Sequence, residues 1–186
     1  MVDIMGHLAF GLLFLLPAWF LWSRRVSIAF VGLGLVTSLL PDIDLWLSRW
    51  FPAEVHHHGV THTVVFVAAA SIVAGALAAA VLTKPLDRWL GWDRFDAGSM
   101  FAFSSLAFFL GGTAHVFADI LSAPDISTPI EPFWPLYNQP LGIDLIYYND
   151  PLWNSVFLAV MLVVHVGVAL AVSPNRHRYR LREQLS

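Results

Sequence analysis

The sequence predicts an all-α fold: a polytopic membrane helix bundle of about five transmembrane helices, forming a single domain over residues 1–186. The composition is too oily for a soluble domain, with 58% hydrophobic residues, 12% charged residues and a mean hydropathy of +0.67. A helix crossing a bilayer needs about 20 mostly apolar residues. Five stretches approach that: Ile4–Trp22, Val26–Leu40, Thr63–Leu82, Met100–Leu121 and Asn154–Val172.

The first stretch follows Asp3, and no Lys or Arg occurs before Arg24. It lacks the basic start of a cleavable signal peptide and is expected to remain as a helix. The second, at about 15 residues and 1.5 Å each, falls short of a hydrocarbon core of roughly 30 Å, so it is expected to extend at both ends. The short Ser23-Arg24-Arg25 connection makes the first two stretches an antiparallel hairpin.

Between the fourth and fifth stretches runs a long connection, residues 122–150, with Pro124, Pro129, Pro132, Pro135 and Pro140 and neither Lys nor Arg. Connections of this length tend to be lids or binding segments. Two readings stand: a semi-rigid cover with Glu131 as a late ligand or general base, or an aromatic belt of Trp134, Tyr137, Tyr147, Tyr148 and Trp153 at head-group depth.

Charge orients the bundle. If all five stretches cross, Arg24, Arg25, Lys84, Arg88, Arg94, Arg176, Arg178, Arg180 and Arg182 share one side, and only Arg49 lies on the other. The positive-inside rule makes the basic side cytoplasmic. The amino terminus is then outside, the 122–150 loop is outer, and residues 174–186 form a basic cytoplasmic tail suited to anionic head groups. A net charge of −3 gives no support for a nucleic-acid partner.

With no cysteine, any metal must be held by nitrogen and oxygen. The expected topology brings four sets of such donors to the outer face. His7 stands near the start of the first helix, with Gly11 slimming the same face one turn on. Asp42 and Asp44 follow the helix-breaking Pro41, where a solvated turn is the plain alternative. His56, His57, His58 and His62 put four of the eight histidines within seven positions, ahead of an apolar run that Thr61 could cap. A loop of this kind can also trap metal incidentally.

His115 and Asp119 are spaced i, i+4, which stacks them on one helix face. That suits two ligands on one metal or on neighbouring metals, and equally a His–Asp hydrogen bond within the bundle. Ionisable groups inside a span are costly and usually functional. Gly111 and Gly112 thin the same helix for close packing. His165 and His177, with no nearby partner pattern, read as structural.

The sequence resembles the membrane-bound metal-dependent hydrolases of the YdjM type, a bacterial and archaeal family. The resemblance rests on Gly6-His7, Leu40-Pro41-Asp42-Ile43-Asp44, His57-His58-Gly59-Val60-Thr61-His62-Thr63, Gly112 through His115 to Asp119, and Trp134-Pro135. It covers about the first three quarters of the chain. Where the family commonly has arginine between the first histidine and the glycine of the third motif, this chain has His58. The His-x-x-x-Asp element is also loosely similar to zinc-dependent phospholipase C. The resemblance implies a hydrolase and names no substrate.

The resulting expectation is a multi-pass cell-membrane hydrolase with its site on the extracytoplasmic face. Two or three divalent ions, zinc foremost with manganese or magnesium as alternatives, would be held by His7, Asp42, His57, His62, His115 and Asp119. Asp44, His58 and Glu131 would support catalysis. A metal-activated water would cleave a phosphoester of a lipid or lipid-linked substrate. Membrane lipids are the expected partners, with a homo-oligomer allowed. A divalent-cation transporter or metal-binding sensor is the alternative from another class, and a haem-binding bundle is a distant one.

Overall fold

The computed structural model describes residues 2–90 and 95–172. The basic tail, Arg94 and His177 lie outside the described residues. The chain is helical, with no strand among the described residues. Its helices are α1 (Ile4–Leu15), α2 (Ala18–Leu21), α3 (Arg24–Thr37), α4 (Ile43–Leu47), α5 (Val64–Leu90), α6 (Ala97–Ile120) and α7 (Phe157–Ala171).

Local chemistry sets the helix ends. Asp3 caps α1 by accepting a hydrogen bond from the Gly6 amide at 2.8 Å. Pro17 separates α1 from α2, since it cannot donate to the preceding turn. Asp96 and Ser99 form a reciprocal capping box at the start of α6. At the start of α5 the cap is Thr63, whose hydroxyl accepts from the Phe66 amide at 3.1 Å, and not the expected Thr61. Helix α7 is entered through a π-helical turn, Leu152–Val156.

Four segments are long and apolar enough to cross a membrane: Ile4–Leu21, Val64–Leu90, Ala97–Ile120 and Leu152–Ala171. The second expected span is shorter than anticipated. Helix α3 begins two residues earlier than Val26 but stops at Thr37, and at 14 residues it covers only about 21 Å. The chain then turns through Pro41, so Leu39 and Leu40 belong to the turn.

The outer surface of the bundle is apolar. Val73, Leu77 and Val81 on α5 and Val163, Val166 and Leu170 on α7 are all exposed, as lipid-facing residues are. Inside, Leu12, Leu15, Phe30, Met100, Phe103, Ala107 and Met161 share one core. Small residues bring backbones together, as membrane bundles require. A methyl on Gly111 would lie 1.9 Å from the Gly34 carbonyl oxygen, and one on Gly75 would lie 1.9 Å from the Ser105 hydroxyl.

The 122–150 segment is irregular but anchored. The Ile143 amide donates to the Ile120 carbonyl at 2.6 Å and the Ala123 amide to that of Ile146 at 2.8 Å. The carbonyl of Pro132 accepts from the Val64 amide at 2.8 Å, satisfying a free donor at the start of α5. Ile130 and Ile146 are fully buried, whereas Tyr137, Tyr147 and Trp134 are exposed.

Candidate metal centre

The helix ends meet at one end of the bundle. The start of α1 supplies His7, the turn after α3 supplies Asp42 and Asp44, the 3-10 turn Val60–His62 supplies His62, and the last turns of α6 supply His115 and Asp119. His7, His62, His115 and Asp119 have fully buried side chains, and that of Asp42 is 16% exposed.

Four donor atoms converge. The Nε2 atoms of His62 and His115 lie 3.2 Å apart. Asp42 Oδ1 is 3.5 Å from each of them. Asp119 Oδ2 is 3.5 Å from His62 Nε2 and 3.2 Å from His115 Nε2. Donors bonded to zinc at about 2.0–2.1 Å and separated by a tetrahedral angle lie about 3.3–3.4 Å apart. These five of the six separations among the four atoms sit close to that value.

Outer hydrogen bonds aim the imidazoles. His115 Nδ1 donates to the Ser38 carbonyl at 2.8 Å, which leaves the Nε2 lone pair facing the cluster. His62 Nδ1 lies 3.1 Å from Asp44 Oδ2 and is aimed the same way. Asp44 also accepts from the Thr61 hydroxyl at 2.8 Å and meets His57 Nδ1 at 2.9 Å. It is 1% exposed and stands behind the cluster as an orienting carboxylate.

His7 stacks on His115 with ring centroids 3.7 Å apart and planes 7° from parallel. Its Nε2 is 3.7 Å from Asp119 Oδ1, so the Asp119 carboxylate faces the four-atom cluster with one oxygen and His7 with the other. Both ring nitrogens of His7, both oxygens of Asp119 and Asp42 Oδ1 are buried without a hydrogen-bond partner. Buried polar atoms almost always have partners. Converging orphans made of imidazole and carboxylate fit a divalent cation.

Charge points the same way. Burial pushes the Asp42 carboxyl up, but the imidazoles of His115 and His62 beside it outweigh this and hold the group well below the usual range. For Asp44, burial is likewise outweighed, by His57 and His62. Burial lowers His62, and the Asp42 and Asp44 carboxylates more than offset it. The carboxylates therefore draw positive charge, which a metal ion would supply as well as a proton.

The remaining expected residues form the rim. His57 is partly exposed, with Nδ1 taken by Asp44. His58 hydrogen-bonds through Nδ1 to the Thr128 carbonyl, and its Nε2 is 3.4 Å from the Ser127 hydroxyl. It adopts a left-handed backbone with φ 64°, a conformation enriched for histidine yet uncommon for any side chain other than glycine. Burial, opposed by Asp119, lowers its pKa to about 4. The rings of His57, His58 and His62 lie 4.2–5.2 Å apart by centroid, and their donors form a further group that could hold an ion.

Glu131 is half-buried in a cavity of about 350 Å³ that it shares with His56, His58 and Trp134. It joins none of the close His/Asp groups among the described residues. His165 is structural: it accepts from Trp19 Nε1 at 2.8 Å and donates through Nε2 to the Leu12 carbonyl at 2.9 Å. Sequence reasoning missed Ser38, whose role runs through a backbone carbonyl, and Thr61 as a partner of Asp44. Neither carried a signal beyond position beside a motif.

Fold and site together define a multi-pass helical membrane protein whose buried His/Asp groups could hold metal ions. The chain belongs to the YdjM inner membrane protein family, whose model matches residues 1–181. No curated protein and no solved structure is a match to this chain.

Proposed function

We propose that the protein is a membrane-embedded, metal-dependent hydrolase that cleaves a phosphoester of a lipid or lipid-linked substrate at the extracytoplasmic face. The observation that carries this reading is the convergence of Asp42, His62, His115 and Asp119 at ligand-to-ligand spacing, 3.2–3.5 Å, at one end of an apolar bundle. These four residues would hold one ion, zinc foremost. His7 and the second oxygen of Asp119 would contribute to another, and the rim histidines allow a third.

A divalent ion held there would acidify water and offset charge that builds on a phosphoester during hydrolysis. The chain's own residues do the rest. Asp44 fixes the rings of His62 and His57, and Ser38 fixes that of His115. His58 and Glu131, beside a shared cavity, are placed to handle protons. Arg24, Arg25, Lys84 and Arg88 sit toward the opposite end of the helices, which supports an outward-facing site.

The same ligands would serve a transporter or sensor. Transporter sites lie near the midplane on broken helices. Among the described residues, no second His/Asp group lies at the far end of the bundle.

The test uses purified full-length protein. Metal analysis should find at least one tightly held transition ion per chain. Vesicles of phosphatidylglycerol and phosphatidylethanolamine should release a phosphoester product that chelation abolishes. His115→Ala and Asp119→Ala should lose both ion and turnover while remaining in the membrane. An active metal-free protein, or turnover retained by Asp119→Ala, would end this reading.

A further inference from the structure

We infer that a second cavity, beside Asp42, receives the phosphate of an anionic lipid, and that Arg49 is the positioning residue that seats it. This rests on the hydrolase reading for its consequence, but the binding itself is separately measurable. The cavity encloses about 350 Å³ between the start of α1, the α4 segment and Tyr148. Asp42 is the point where it meets the cluster. The side chains of His7, His62, His115 and Asp119 are fully buried, whereas that of Asp42 keeps 16% exposure. A molecule in this cavity therefore lies next to the candidate metal ligands.

Arg49 gives the cavity its sign. It is exposed and lines the cavity, and its guanidinium has no ion-pair or hydrogen-bond partner among the described residues. The other described basic side chains, Arg24, Arg25, Lys84 and Arg88, flank the opposite helix ends. Asp3 also lines the cavity, but its carboxylate is engaged in capping α1. A planar guanidinium with free donors is suited to bidentate recognition of phosphate.

The rest of the lining selects an amphiphile over free phosphate. Ile4 is 62% exposed, Trp46 is 61% exposed and Leu45 is 40% exposed. These sit on the rim, next to one cation and one half-exposed ligand. An acyl chain laid along Ile4, Leu45 and Trp46 would stay in an apolar environment while its phosphate reached Arg49 and the cluster. The cavity around His58 and Glu131 has no Lys or Arg in its lining. It is the weaker place for the anion and the better one for water or a leaving group.

The probe is decylphosphonate, which carries an anionic head and an apolar tail but no ester to cleave. Methylphosphonate is the comparison without a tail. Each is titrated calorimetrically into zinc-treated full-length protein in nanodiscs, with the zinc content of every variant measured alongside. Arg49→Gln should weaken decylphosphonate about tenfold to a hundredfold, the loss of charged hydrogen bonds, with zinc unchanged. Arg49→Lys should recover part of that. Trp46→Ala should weaken decylphosphonate and leave methylphosphonate as it was.

Wild-type affinity in Arg49→Gln overturns the inference, as does zinc loss in that variant or failure of the wild type to bind. Equal affinity for the two probes assigns the cavity to free phosphate and overturns the lipid assignment. Arg49-dependent binding in a protein that cleaves no lipid leaves the inference standing and removes the hydrolase reading.

Discussion

Replacing Gly111 by alanine should separate α6 from α3 and, one turn along, take the candidate centre apart. The new methyl would meet the Gly34 carbonyl oxygen at 1.9 Å and the Thr37 hydroxyl at 2.5 Å. The first obstacle is backbone, so it cannot swing aside. The gap must open from 1.9 Å to the 3.4 Å at which ordinary contact begins, a shift of about 1.5 Å.

Helix α3 delivers Ser38 and, beyond it, Asp42, while α6 delivers His115 and Asp119. A shift of that size exceeds by several times the roughly 0.2 Å tolerance of a metal–ligand distance. It also breaks the 2.8 Å hydrogen bond that aims His115. Overpacking of this kind costs about 1–3 kcal/mol of stability. Zinc affinity should fall on the order of 100-fold, the upper end of what losing an outer partner costs.

The assay is zinc content after dialysis against graded chelator, paired with thermal melting in the same detergent. Gly32→Ala is the control. It lies on the same α3 helix, its methyl would meet nothing within 4 Å, and it should be neutral or stabilising by up to about 1 kcal/mol. If Gly111→Ala melts with the wild type and holds zinc as tightly, the close approach of α3 and α6 does not position the cluster.

Asp44→Asn keeps the shape of the side chain but turns one acceptor into a donor facing His57 or His62. Zinc affinity should drop about 10–100-fold in a folded protein, and an unchanged affinity would remove Asp44 from the site. Single cysteines at Glu54 and at Arg88 should react with an impermeant thiol reagent from opposite sides of the membrane, Glu54 from outside. Labelling from the same side would overturn the proposed orientation.

Hydropathy and spacing carried much of the fold, because the four long spans are continuous apolar runs. The ends of α3 were less legible. Leu39 and Leu40 are as apolar as any span residue, and only the tertiary turn through Pro41 excludes them from the helix. Thr61 and Thr63 illustrate a similar limit: both precede an apolar run and either could cap it. Asp44, distant in sequence, takes the Thr61 hydroxyl, and Thr63 is left to meet Phe66.

For the site, the motifs marked His62, His115 and Asp119, and the charge bias set their helix ends on one face. The sequence reading sets Asp42 among the ligands and Asp44 in a supporting role, though spacing alone does not separate two carboxylates two residues apart in one motif. The turn sends Asp42 into the cluster and Asp44 behind it. Arg49 was visible only as the exception to the charge bias, a topological oddity until the cavity beside Asp42 gave it a neighbour.

The way the cluster is braced bears on which class of function it suits. Gly34 and Gly111 hold α3 against α6 through backbone contact. His165 ties α7 to α2 through Trp19 and to α1 through the Leu12 carbonyl, with two buried hydrogen bonds. Asn154 accepts from the Asp3 amide at 3.4 Å and donates to the Tyr148 carbonyl at 2.8 Å, joining the start of α7 to both α1 and the long connection. A carrier must open its site alternately to two sides, which requires ligand-bearing elements to part and rejoin. Here α3 is fixed to α6 and α1 to α7 by contacts that motion would break, and Leu15, Phe30, Met100 and Phe103 pack together in one buried core. Such bracing would hinder transport. It favours chemistry that needs donors held within a fraction of an ångström, since positioning of reacting groups supplies much of a catalyst's advantage.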